Sequence, residues 1–91
     1  MATSKKYKIQ DSTRCRINAI RERLQAIVDL DAEYGTLDCS ARGNYQRMLE
    51  KAEDLSFAAM YQETDGKTIK DLSEFIKGHE HLTQGSVFSY A

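Results

Sequence analysis

The basic start of the chain carries its clearest chemistry. Residues 1–23 hold seven lysines or arginines against two acids, whereas residues 24–91 hold six against twelve. A net charge of −1 over 91 residues thus conceals a +5 segment followed by a −6 body. Tyr7 stands between Lys6 and Lys8, an aromatic ring among cations. Such a ring can stack on a nucleobase, worth roughly 1–3 kcal/mol, while its neighbours meet phosphate. The same ring, or Ile9, can serve instead as a hydrophobic staple over the first turn of the helix that follows. Arg14, Arg16, Arg21 and Arg23 then flank both edges of an apolar stripe. A cation in the first turn opposes the helix dipole at a cost of about 0.3–1 kcal/mol. That placement makes sense where free N–H groups and guanidinium forks hold an anion together; pairing with Glu22, Asp29 or acids of another helix is the alternative. Ser40-Ala41-Arg42-Gly43-Asn44 offers a second anion site around Arg42, or a frayed first turn in which glycine costs little.

Other candidate chemistry fails on spacing. His79-Glu80-His81 puts three ligand types side by side, but adjacent side chains diverge and no further His or Cys lies near, so no metal is expected. Asp65-Gly66-Lys67-Thr68 ends like a phosphate loop yet lacks its first glycine and four-residue spacer. Ser, His and Asp occur without a nucleophile motif, so no enzyme activity and no cofactor are expected. Cys15 and Cys39 form no CxxC pair, and the intervening helix alone separates them by roughly 27 Å at ~1.5 Å per residue, which disfavours a bridge within the chain. No apolar run approaches the roughly 20 residues of a membrane span, nor is there a signal-peptide core of about 7–15. A cytoplasmic protein without membrane association is expected.

These groups must be positioned by helices. Hydrophobic residues make up 41% and charged residues 30%, with no proline, a composition that excludes proline-rich and wholly disordered classes. Residues 1–10 read as a basic extended arm. Asp11 and Ser12 offer caps to a helix over about 12–34, whose Ile17, Ile20, Leu24, Ile27 and Val28 share one face and which Gly35 ends. A short link, capped by Asp38 or Ser40, leads to a second helix over about 40–63. Its seam is Ala41, Tyr45, Met48, Ala52, Leu55 and Ala59. So short a link makes an antiparallel hairpin. Asp65-Gly66 stops the second helix, and Thr68 with Asp71 starts a third over about 68–77, burying Ile69, Leu72, Phe75 and Ile76 before Gly78. Residues 79–91 form a tail with Val87, Phe88 and Tyr90. The expected class is all-α, a single domain. Leu49, Phe57 and Met60 lie off the main seam and leave an apolar surplus that favours a homo-oligomer.

Tyr7 followed by Asp11-Ser12, then Ile17, Ile20 and Arg21, with Ser40 and Arg42 leading to Leu49-Glu50-Lys51-Ala52, resembles the phage anti-CBASS sponge proteins, which sequester cyclic oligonucleotide signals of bacterial defence. The resemblance covers about the first 60 residues. It implies helical hairpins interlocked as hexamers in the host cytoplasm, binding cyclic dinucleotides between subunits and cyclic trinucleotides at separate sites without cleaving them. It implies that Tyr7 stacks on a base and that Arg21 takes the phosphate role. The leading expectation adds Lys8 beside Arg21 at phosphate and Arg42 at a second, trinucleotide-type site. Phe75 or the aromatic tail would close a pocket from a neighbouring subunit. The family's basic residue is a lysine one position further from the tyrosine, and its tryptophan-containing stretch is here Asp54 to Met60, without tryptophan.

The competing expectation is a protein-binding module whose basic arm docks on an acidic partner. Duplex nucleic acid ranks below both, because the −6 body repels a phosphate backbone.

Overall fold

The computed structural model describes residues 5–83. The chain runs β1 (Lys6–Lys8), α1 (Asp11–Tyr34), α2 (Cys39–Ala58), β2 (Glu63–Asp65) and α3 (Gly66–His79). The two long helices pack antiparallel as the expected hairpin, and α3 lies against both. The difference from an all-α chain is a two-stranded antiparallel ribbon, in which Lys6, Tyr7 and Lys8 pair with Asp65, Thr64 and Glu63. The basic arm is therefore a strand. Its register sets Lys6 opposite Asp65 and Lys8 opposite Glu63, opposite charges across the ladder. The Ile9 N–H extends the ladder to the Gln62 carbonyl at 2.9 Å, and the Ile9 side chain is fully buried. Ile9, not Tyr7, anchors the arm.

Apolar spacing determines α1: Ile17, Ile20 and Leu24 are buried, with Val28 packed at the edge of the core. Gly35 ends the helix at φ 62° and ψ 44°, its N–H on the Asp31 carbonyl at 2.7 Å, a left-handed cap that glycine adopts without steric cost. The start departs from expectation. Gln10 is the N-cap residue and makes no side-chain cap bond, while Asp11 is turned to Arg14 at 2.8 Å.

Asp38 caps α2 by accepting from the Ala41 N–H at 2.8 Å. Ala52, Leu55 and Ala59 of the expected seam are buried, Tyr45 and Met48 pack against the core from its edge, and Leu49 joins the core although it lies off that seam. The helix stops at Ala58 rather than near Glu63. No proline or glycine interrupts it there. Instead Arg14 reaches across from α1, Nε donating to the Ala59 carbonyl at 2.6 Å and Nη2 to the Tyr61 carbonyl at 2.9 Å. A cation in the first turn of α1 is thus also a cation at the carbonyl end of α2, where it complements the α2 dipole and satisfies acceptors that a helix end leaves open.

The third helix is longer than its sequence signals imply. Asp65, the last residue of β2, caps it by accepting from the Thr68 N–H at 2.8 Å, so Thr68 is inside the helix rather than at its start. The hydrogen bonds from Thr68, with Lys6 and Lys67 nearby, hold the Asp65 carboxyl below the ordinary range. At the far end Gly78 does not stop α3. The helix passes through it to His79, whose Nδ1 lies 2.7 Å from the Phe75 carbonyl and whose ring stacks on Phe75. Of the expected tail over 79–91, His79 closes α3 and residues 81–83 are helical, while residues 84–91 lie outside the described residues.

Replacing Arg14 by alanine leaves the Ala59 and Tyr61 carbonyls without their charged donor, and stability in urea is expected to fall by about 1–3 kcal/mol. Lysine at this position should recover only part of the loss, because one ammonium cannot reproduce the planar fork.

Candidate functional site

Cations and apolar surface meet in one groove between the N-terminal arm, the first turns of α1 and the apolar side of α3. Its volume is about 410 Å³, and Ile9, Ile69, Leu72 and Ile76 form its floor. Lys8 from β1, Arg16 from α1 and Lys77 from α3 stand on the rim, with Glu80 the one acid among the lining residues. Thr13 and Ser73 add hydroxyls. A second hollow of about 360 Å³ adjoins it, sharing Arg16, Ile76 and Glu80. On its other side, Ile69 and Ser73 also line a shallower depression of about 450 Å³ that holds Tyr7, Gly66, Lys70 and Glu74.

The elements explain why these cations converge. Strand alternation points Tyr7 and Lys8 to opposite faces of the ribbon, so Tyr7 enters the outer depression and Lys8 the groove. Arg16 comes from the second turn of α1, and Lys77 from near the end of α3. Among the described residues none of the three makes an ion pair or side-chain hydrogen bond; Arg14 and Arg42 account for the two ion pairs present. The first turn of α1 also lines the groove through Gln10 and Thr13 and has no side-chain cap, so the positive end of the helix dipole opens toward it.

Tyr7 is 42% exposed. Its ring lies so near Gly66 that a Cβ there would come to 3.2 Å of Cε2, and the Lys5 ammonium is 5.6 Å from the ring centroid. The ring is thereby held on one side and open on the other. Tyr7 and Lys8 are close to one another but Arg21 is apart from both. It is half-buried on α1 and sits about 140° around the helix from Arg16, at 100° per residue, where it lines none of the three hollows.

Arg42 is engaged inside its own chain. Its Nε donates to Asp31 Oδ2 at 2.6 Å, and Nη2 contacts Asp31 Oδ1 at 3.2 Å and the Leu37 carbonyl at 3.0 Å. Asp31, only 6% exposed, also accepts from the Leu37 N–H at 2.8 Å. The pair therefore locks the α1–α2 link. The hydrogen bond from Arg42, then that from Leu37, hold the Asp31 carboxyl below the ordinary aspartate range, while Asp31 raises Arg42 further. Gly43 sits within α2 with open space where a Cβ would stand, so no close approach requires it.

Phe75 belongs to the core of its own chain, buried and stacked on His79 at 4.0 Å between ring centroids. It is not free to cover a pocket of a neighbour. Arg16 and Lys77, by contrast, are groove residues beyond the expected set. Edge position on the α1 wheel marks Arg16, but nothing in the local sequence marks Lys77, whose position depends on how α3 packs against the arm.

Among the described residues, no helix is long and apolar enough to cross a membrane and no group of three or more His, Cys, Asp or Glu side chains is placed to hold a metal. No protein-family model, curated protein or solved structure matches the chain.

Two outcomes separate support from binding. Phe75→Ala should lower unfolding free energy by about 3–5 kcal/mol, as for truncation of a core aromatic. Because Asp31 is depressed when folded, its contribution is present above the unfolded aspartate value and lost as pH falls through the folded one. Asp31→Asn should accordingly flatten the acid limb of the stability profile from about pH 4 downward, read by thermal melts across pH.

Proposed function

We propose that the protein sequesters cyclic oligonucleotide second messengers in the groove bounded by Lys8, Arg16 and Lys77, and does so by binding without cleavage, in the cytoplasm of a host whose anti-phage signalling it blocks. One observation carries this reading: three unpaired cations from three separate elements surround an apolar floor at the uncapped start of α1. Phosphates need donors and positive charge, which the rim and the helix start supply. Sugar and base faces need apolar surface, which the isoleucines supply. The groove and its adjoining hollow, about 410 and 360 Å³, lie in the roughly 300–1,000 Å³ range of small-molecule sites.

Tyr7 keeps the stacking role in this proposal, on the depression that shares Ile69 and Ser73 with the groove. Lys8 keeps its phosphate role, with Arg16 and Lys77 beside it. Arg21 contributes only from a second copy, in keeping with sites formed between subunits of a hexamer. Arg42 would have to leave Asp31 to serve a cyclic trinucleotide, so it is assigned to support of the link instead.

Titration calorimetry with a panel of cyclic di- and trinucleotides tests the proposal. At least one should bind at micromolar concentration or below, with Arg16→Ala costing about tenfold or more, as expected for a charge-assisted phosphate contact. Tyr7→Ala should cost roughly 1–3 kcal/mol if a base stacks there, and the ligand should be recovered intact by chromatography. Absence of heat with every member of the panel overturns the reading.

A further inference from the structure

The end of α2, which lines none of the three hollows, presents its own feature. Phe57, Met60 and Tyr61 are 62%, 73% and 58% exposed, a contiguous apolar patch on a small chain. The patch is rigid. Phe57 and Tyr61 meet edge to face at 5.9 Å between centroids, the Met60 and Tyr61 N–H groups bond back to Phe57 and Ala58, and Arg14 fixes the Ala59 and Tyr61 carbonyls. The two rings are thereby held against each other, which lowers the conformational freedom they lose on binding.

Charge identifies the occupant. Glu50, Glu53 and Asp54 share with Phe57 an arc of about 100° on α2, at 100° per residue. All three carboxylates are exposed, and among the described residues none has an ion-pair or hydrogen-bond partner. Arg47 and Lys51 fall outside that arc, so no cation interrupts it. The surface is therefore a row of carboxylates, roughly 10 Å long at ~1.5 Å per residue, that ends in an aromatic knob. Two copies joined through this same face would set carboxylate against carboxylate, and an anionic lipid surface would be repelled by it.

We propose that this face of α2 docks a cationic amphipathic segment of another protein, its lysines or arginines along the carboxylates and an apolar side chain against Phe57, Met60 and Tyr61. The proposal is independent of what the groove binds. Its test uses a synthetic lysine–leucine amphipathic helical peptide as the probe, with a glutamate–leucine peptide of the same length as control. Fluorescence anisotropy should show micromolar, salt-weakened binding of the lysine peptide only. Phe57→Ala and Met60→Ala, both of exposed side chains, should each weaken it by about fivefold or more, as should the double reversal Glu53→Lys with Asp54→Lys. Circular dichroism should confirm that every variant keeps its helices. Equal affinity for the two peptides, or unchanged affinity in the Phe57 variant, overturns the proposal. So does a solution mass above the monomer that Phe57→Ala reduces, since that outcome gives the face to a second copy.

Discussion

The guanidinium of Arg14 joins the first turn of α1 to the carbonyl end of α2, and the path of the chain after α2 follows from that contact. Three groups converge on one side chain: Asp11 one turn back, Ala59 and Tyr61 across the hairpin. By taking two carbonyls that a continuing helix would have used, it ends α2 at Ala58 without a breaker residue. The chain then has four residues in which to turn before Glu63–Asp65 pairs with the arm. That pairing places Asp65 where it caps α3, and α3 in turn forms one wall of the groove. The contact is well suited to this role because a guanidinium presents several donors in one plane and stays charged at any physiological pH.

The same contact changes the meaning of the uneven charge. Part of the +5 segment is consumed internally, Arg14 by two carbonyls and Asp11. Of the cations without an ion pair, Lys8 and Arg16 meet on one rim, joined by Lys77 from the body of the chain. The acidic body is likewise not uniform. Asp31 is spent on Arg42 and Asp38 and Asp65 on helix caps, whereas Glu50, Glu53 and Asp54 stay available on one side of α2. The chain therefore carries two surfaces of opposite sign, each attached to apolar side chains.

Legibility in the sequence followed the range of the forces involved. The stripe of Ile17, Ile20 and Leu24 and the cap at Gly35 are local, and α1 was predictable nearly to the residue. The hairpin followed from a short link. The end of α2 was not visible because its cause lies 45 residues away at Arg14. Three-residue strands carry too little periodicity to be recognised, although Lys-Tyr-Lys and Glu-Thr-Asp make sense once opposed. Gly78 was misleading because a glycine stops a helix only where the backbone turns left-handed, and here His79 and Phe75 hold the last turn closed. For the site, the arm's tyrosine and lysine were legible as exposed chemistry. The engagement of Arg42, the burial of Phe75 and the arrival of Lys77 depend on tertiary packing, which spacing along one helix cannot encode.

The ribbon joins Lys6 to Asp65, so both long helices lie between its two strands. Contacts within the hairpin close short loops, while this pairing closes a long one at a larger cost in chain entropy. The arm thus acts as a latch across the two long helices, with Ile9 as its bolt in the core. The groove exists only once the latch is shut. A ligand held there binds the closed state alone and so stabilises it in proportion to its concentration and affinity, coupling occupancy to the security of the chain's N-terminal segment.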